Sequence, residues 1–172
     1  LNCFGQMQRE GFTPDAVTFI CSLKACGMSR AVEEGAVIHA QVIKEGLLEK
    51  STSVGNALVD MYAKCGALEK AQQALDGIPS RDVVSWSAII AGYAHARRGH
   101  EALKCFERMQ NEYIYPNAIT FICVLKACGS IGAIDKGKQI HEMIASTGLL
   151  QKDIVLGNAL VDMYAKCGVL EK

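Results

Sequence analysis

Eight cysteines are the residues of this 172-residue chain that first suggest chemistry, since thiols ligate soft metals, pair as disulfides and act as nucleophiles. Their spacing argues against all three roles. They fall as Cys3 and Cys105, Cys21 and Cys123, Cys26 and Cys128, Cys65 and Cys167, each pair 102 positions apart. No C-x-x-C occurs, and Cys21 and Cys26 stand on different helical turns without a histidine beside them. Such cysteines are expected to be small buried hydrophobes, which fits a reducing compartment. His39 and His141 form another pair 102 apart and are expected to pack or face solvent. A zinc deaminase would need H-x-E with C-x-x-C, whereas His141 and Glu142 are adjacent. Glycine-rich phosphate loops and nucleophile elbows are missing too, so neither an enzyme nor a metal or cofactor is expected.

A second set of polar residues stands at regular intervals. Asp15, Ser51, Asp82, Asn117 and Asp153 each precede a predicted helix, where a short oxygen-bearing side chain caps orphan N–H groups for about 1 kcal/mol. Asn56 and Asn158 fall in the first turn of otherwise apolar helices, where a hydrogen bond to a neighbouring repeat would satisfy them. Lys64 and Lys166 lie near helix C-termini, which the macrodipole favours. Eighteen Lys and Arg balance eighteen Asp and Glu, so net charge points to no polyanion. A hydrophobic content of 50% suits a buried core and excludes disorder. No apolar run approaches the roughly 18 residues of a membrane helix, so a soluble protein is expected.

These residues are positioned by an internal repeat. Residues 12–27 (FTPDAVTFICSLKACG) return at 114–129 as IYPNAITFICVLKACG, and 55–66 (GNALVDMYAKCG) return unchanged at 157–168. Residues 1–70 align on 103–172 without a gap at 40 identical positions. Helical periodicity subdivides the period. Trp86, Ile89, Ile90 and Tyr93 recur at i, i+3, i+4, i+7; Gly99 interrupts, and Ala102, Phe106 and Met109 continue up to a proline-bearing loop. That is one helical hairpin over 83–117. A longer one covers 118–153, with Ile140, Met143 and Ile144 on its second helix, and its earlier copy covers 16–51. A shorter one covers 52–82, with Leu58, Met61, Tyr62 and Cys65 on one face. A hairpin of this size cannot bury its apolar stripe alone, so neighbours must stack into an α-solenoid.

The 36-, 31- and 35-residue units resemble the pentatricopeptide repeat family. The segments NALVDMYAKCG at 56–66 and VVSWSAIIAGY at 83–93 resemble its plant subclass of alternating long, short and standard-length repeats. On this reading the chain is a single all-α array, a right-handed solenoid of the tetratricopeptide-like type. Its parts are a partial standard repeat (1–15), a long repeat (16–51), a short repeat (52–82), a standard repeat (83–117), a long repeat (118–153) and a partial short repeat (154–172). The resemblance implies binding of single-stranded organellar RNA, one base per repeat, read by the fifth and last residues of each repeat while the second wedges against the base. The readers would then be Asn56 with Asp82, favouring U, and Ser87 with Asn117, favouring A, giving a 5′-UA-3′ core. Asp15, Ile20, Ser51, Ile122, Asp153 and Asn158 hold the same positions with incomplete pairs or an isoleucine that can neither donate nor accept. The wedge positions are Val17, Ser53, Val84, Ile119 and Val155, although Val84 could equally be core. Lys64 and Lys166 hold a position that touches phosphate in the family, where the standard repeat has His95.

The same resemblance implies the target-recognition part of a C-to-U RNA-editing factor in mitochondrion or chloroplast, with accessory editing factors docking on the long repeats. A peptide-binding solenoid is the rival reading, but its unit would be 34 residues throughout. The chain opens at Leu1 and breaks off within a predicted helix, so a fragment is expected, with exposed terminal helices that invite homodimerisation.

Overall fold

The computed structural model describes residues 2–151 and 153–168. Among these, the regular elements are helical: α1 (Asn2–Arg9), α2 (Ala16–Ser29), α3 (Val32–Lys44), the single turn α4 (Leu47–Lys50), α5 (Thr52–Lys64), α6 (Leu68–Asp76), α7 (Val83–His95), α8 (Gly99–Asn111), α9 (Ala118–Ile131), α10 (Ile134–Thr147) and α11 (Ile154–Lys166). A 3-10 turn at Leu149–Gln151 precedes α11. None of these helices is long and apolar enough to cross a membrane.

Four first helices start at capping side chains, whereas the second helices α3, α6, α8 and α10 follow Ala31, Ala67, Arg98 and Ala133 with no side-chain cap. The Asp15 carboxylate accepts from the Thr18 amide at 2.8 Å and the Thr18 hydroxyl at 2.7 Å. Asn117 does the same for Thr120 at 2.9 Å and closes a reciprocal capping box, so α2 and α9 open alike. Asp82 and Asp153 cap α7 and α11. Ser51 departs from expectation. Its backbone is extended but its side chain makes no capping bond, and the α5 amides of Val54 and Gly55 reach its carbonyl instead. Helices α2 and α9 end on a left-handed residue, Arg30 (φ 55°) and Gly132 (φ 65°) respectively.

By its contacts the chain divides into two units, Leu1–Ile89 and Ile90–Lys172, the division falling within α7. In the first, α2 packs against α3 and α5, and α5 against α6. Phe19, Leu23, Ile38, Val42, Leu58, Met61 and Leu75 are buried between them, each contributing about 1.5–3 kcal/mol. The second unit repeats the scheme, with α9 against α8, α10 and α11. Phe106 and Phe121 meet there with ring centroids 6.4 Å apart. A glycine on the second helix leaves room for a methionine of the following first helix. A Cβ on Gly35 would sit 2.5 Å from the Met61 sulfur, and one on Gly137 equally close to that of Met163.

The histidine pair serves the same joints. His39 Nδ1 lies 3.1 Å from the Tyr62 hydroxyl, and His141 Nδ1 lies 2.9 Å from that of Tyr164, each ring edge-on to its partner. Cys26, Cys105, Cys123 and Cys128 are buried as expected of small hydrophobes, but Cys21 is exposed and Cys65 and Cys167 are half-buried. Cys123, the copy of Cys21, is buried on α9, so identical residues one period apart differ in exposure. The Cys3 side chain lies outside the described residues. Burial, with the Cys167 thiol nearby, pushes the Cys128 thiol up to about 11, so its nucleophilic thiolate is scarce at neutral pH. Among the described residues, no three His, Cys, Asp or Glu side chains are grouped to hold a metal ion.

Candidate nucleic-acid interface

Each first helix presents its second, fifth, ninth and thirteenth residues on one face, since steps of three and four residues return to the same side of an α-helix. On α2 these are Val17, Ile20, Lys24 and Met28; on the adjoining α5 they are Ser53, Asn56, Asp60 and Lys64. In the second unit α9 carries Ile119, Ile122, Lys126 and Ser130, and the adjoining α11 carries Val155, Asn158, Asp162 and Lys166.

The second positions are open to solvent. Val17 is 65% exposed, Val84 54%, Ile119 60% and Val155 55%, and Ser53 is exposed too. Val84 is therefore not a core residue. Four β-branched aliphatic side chains left in water at equivalent places forgo burial worth about 1.5–3 kcal/mol each. Ile20 and Ile122, at the fifth position, are half-buried and Asn158 is exposed.

Asn56 and Asp82, 26 residues apart, are brought together. The Asn56 amide nitrogen donates to both Asp82 carboxylate oxygens, at 3.1 and 3.0 Å. Asp82 Oδ1 also accepts from the amides of Val84 at 2.9 Å and Ser85 at 3.0 Å, so the carboxylate that caps α7 also holds the asparagine. The Asn56 carboxamide oxygen is left buried without a hydrogen-bond partner, an acceptor whose need is unmet within the fold. Of the other paired positions, Ser87 is 6% exposed in the first unit, and Asn117 is half-buried in the second. Ser51 and Asp153 are half-buried, and Asp15 is exposed. The Thr18 hydroxyl and amide hold the Asp15 carboxyl below the usual carboxylate range.

Both lysines carry a carboxylate partner one turn back. Lys64 Nζ is 2.7 Å from Asp60 Oδ2, and Lys166 Nζ is 2.6 Å from Asp162 Oδ2. Neither is the simply solvated cation that a helix C-terminus would suffice to explain. The sequence reading passes over Arg97, Lys126 and Ser130, which the second unit gathers near Lys166. A cleft of about 400 Å³ is lined by Ala94, His95, Arg97, Lys126, Ser130 and Lys166. The signal for Lys126 was present in the sequence, because it shares the helical face of Ile119 and Ile122. Arg97 had none, lying in the turn after α7.

A profile of the PPR repeat family matches residues 81–130, and one of the single PPR repeat matches 56–83. A putative pentatricopeptide repeat-containing protein of Arabidopsis thaliana is 42% identical over 173 residues, covering 99% of this chain and 25% of the relative. Two further Arabidopsis pentatricopeptide repeat-containing proteins, one named mitochondrial and one chloroplastic, are each 39% identical, covering 99% and 98% of this chain and 16% and 28% of their own lengths. The chain thus spans about a quarter of the first of these relatives and less than a third of the other two. Among solved structures, the maize pentatricopeptide repeat protein PPR10 superposes with a TM-score of 0.70 at 21% identity, over 98% of this chain and 24% of that one. PPR10 in complex with an 18-nt psaJ RNA element superposes with a TM-score of 0.73 at 22% identity, over 98% and 26%. The fold is thus the α-solenoid of stacked helical hairpins, and the chain belongs to the pentatricopeptide repeat family.

Proposed function

We propose that the chain binds single-stranded RNA along the exposed faces of its first helices, one base per repeat, with U opposite residues 52–82 and A opposite 83–117. The observation that carries this reading is the Asn56–Asp82 pair, fixed in place before any ligand arrives and beside the exposed Val84. A reader held by the carboxylate that caps the next helix loses little side-chain freedom on binding. The neighbouring aliphatic side chain offers the flat apolar contact that a base face can cover. PPR10, of the same fold, has been solved with an RNA strand, which supports the ligand class.

Within the plant subclass of long, short and standard repeats, the chain would serve as the target-recognition part of an organellar C-to-U editing factor. The mitochondrial and chloroplastic relatives support the compartment. Accessory editing factors would dock on the long repeats, where the fifth position is Ile20 or Ile122 and lacks a base-reading side chain. The test is equilibrium anisotropy with short RNAs that differ only at the A of UA. Asn117→Asp keeps a capping oxygen and should move preference at that base from A toward G by about 1–3 kcal/mol. Unchanged relative affinities would show the register to be wrong, and absence of saturable binding to any RNA would refute the reading itself.

A further inference from the structure

We propose that the cleft of the second unit is a phosphate seat in which Lys126 and Arg97 hold one backbone phosphodiester of a bound single strand. The inference rests on the RNA reading above and deepens it. Three permanent cations, Arg97, Lys126 and Lys166, line this cleft of about 400 Å³, with no carboxylate among the lining residues. Of these three cations, only Lys166 has an acid within ion-pair distance among the described residues, namely Asp162. Arg97 and Lys126 have none, so the cleft keeps an excess of positive charge.

The helix macrodipole accounts for part of this arrangement and not for the rest. His95 and Lys166 are the last residues of α7 and α11, where a cation is favoured without any ligand. Lys126 stands five residues before the end of α9, beyond the reach of that effect. It lies instead on the helical face of Ile119 and Ile122, toward which a strand following the exposed second positions would run. The donors are also sorted. The Ser130 hydroxyl is already given to the Ala127 carbonyl at 2.7 Å, and His95 Nδ1 lies 2.7 Å from the Ala91 carbonyl. The guanidinium of Arg97 and the ammonium group of Lys126 are left to meet an oxyanion.

A phosphate fits this set better than a base edge does, because the cleft offers donors and positive charge but no carboxylate acceptor. It also explains what a long repeat can contribute. Ile122 occupies the place that Asn56 and Asn158 hold in the short repeats and cannot form a hydrogen bond, so this repeat has no direct reading of sequence. A backbone contact at Lys126 would fix the strand's position without choosing a base, the division of labour common to nucleic-acid interfaces.

The experiment is a fluorescence anisotropy titration of the whole chain with a 12-nucleotide single-stranded RNA containing UA, across a series of potassium chloride concentrations. Arg97→Ala with Lys126→Ala should lower the steepness of log K against log salt by about 0.7, one phosphate contact on a single strand. It should also weaken UA and non-UA strands by the same factor. Lys104→Ala with Lys138→Ala, which removes two exposed lysines from the second helices α8 and α10, is the charge-matched comparison. A slope and affinity for the Arg97 and Lys126 variant equal to those of this comparison would overturn the seat while leaving RNA binding intact. Loss confined to UA strands would overturn it as well, by showing a base contact. Should the unaltered chain bind no RNA, the functional reading falls first. A parallel NMR titration with inorganic phosphate separates the sources. Saturating shifts at Arg97 and Lys126 without RNA binding would reassign the cleft to a free phosphate ligand and overturn the phosphodiester. Thermal melts of both variants matching the parent confirm that the comparison is between folded proteins.

Discussion

His39 is held by burial below the usual histidine range, with Nδ1 against the Tyr62 hydroxyl and the ring edge-on to the tyrosine. The folded protein therefore favours the neutral imidazole, while the unfolded chain takes up its proton near the ordinary value of about 6.5. The stability this contributes is complete above that value and is lost as pH falls through the lower folded one. Melting temperature should fall between pH 7 and pH 5.5, and His39→Gln, which cannot titrate, should show a smaller fall. Equal falls in the two proteins, followed by circular dichroism, would remove the histidine from the account. The residue scale is also where sequence reasoning works least evenly. Asn56 and Asp82 are paired by the sequence itself, because the repeat register ties residues 26 apart. The ion pairs of Lys64 with Asp60 and Lys166 with Asp162 lie only four residues apart, yet a lysine near a helix end has an adequate solvated explanation that hides them. Cys21 is misread for a different reason. Identity between copies transfers residue type but not the neighbours that cover it.

At the scale of the helix, α2 and α9 differ in how they stop. Both close on a left-handed residue, but α9 uses Gly132 and α2 uses Arg30, whose side chain makes that conformation unfavourable by about 1–2 kcal/mol. Arg30→Gly should therefore stabilise the protein, by about 0.5–1 kcal/mol after the added freedom of the unfolded chain is offset. For a chain of this size that amounts to a rise of about 1–4 °C in a thermal melt. The reverse change, Gly132→Arg, should lower the transition by a similar amount, and a null result in both directions would show that the two helix ends are not under this constraint. The starts of α2, α7, α9 and α11 were legible because a polar cap followed by an apolar 3.6-residue rhythm is a local signal. The turn α4 and the 3-10 turn at Leu149–Gln151 were not legible. Each is a single turn, too short to show a period, and each fills the link to the next first helix. Ser51 shows the limit of the cap signal, since an extended serine before a helix can still leave its hydroxyl out of the cap.

For the molecule as a whole, equal numbers of acidic and basic residues place the isoelectric point at about 7.0. Net repulsion between copies vanishes there, while Val17, Ile119 and Val155 stand in solvent. Light scattering at low salt should peak near pH 7 and fall on either side as net charge returns; scattering that stays flat across that range would show that the exposed aliphatic residues do not associate. The cleft is a feature of this scale as well. Its cations come from the turn after α7, from within α9 and from the end of α11, segments that no local pattern connects. Packing alone assembles them. The capping residues carry a different lesson. Asp15, Asp82, Asn117 and Asp153 each close the helix that follows, and Asp82 holds Asn56 with the same carboxylate. A residue with two employers cannot be rewritten for one of them alone. Whoever retargets such a chain, by breeding or by design, works with a short alphabet of Ser, Thr, Asp and Asn, the letters that the next helix will also accept.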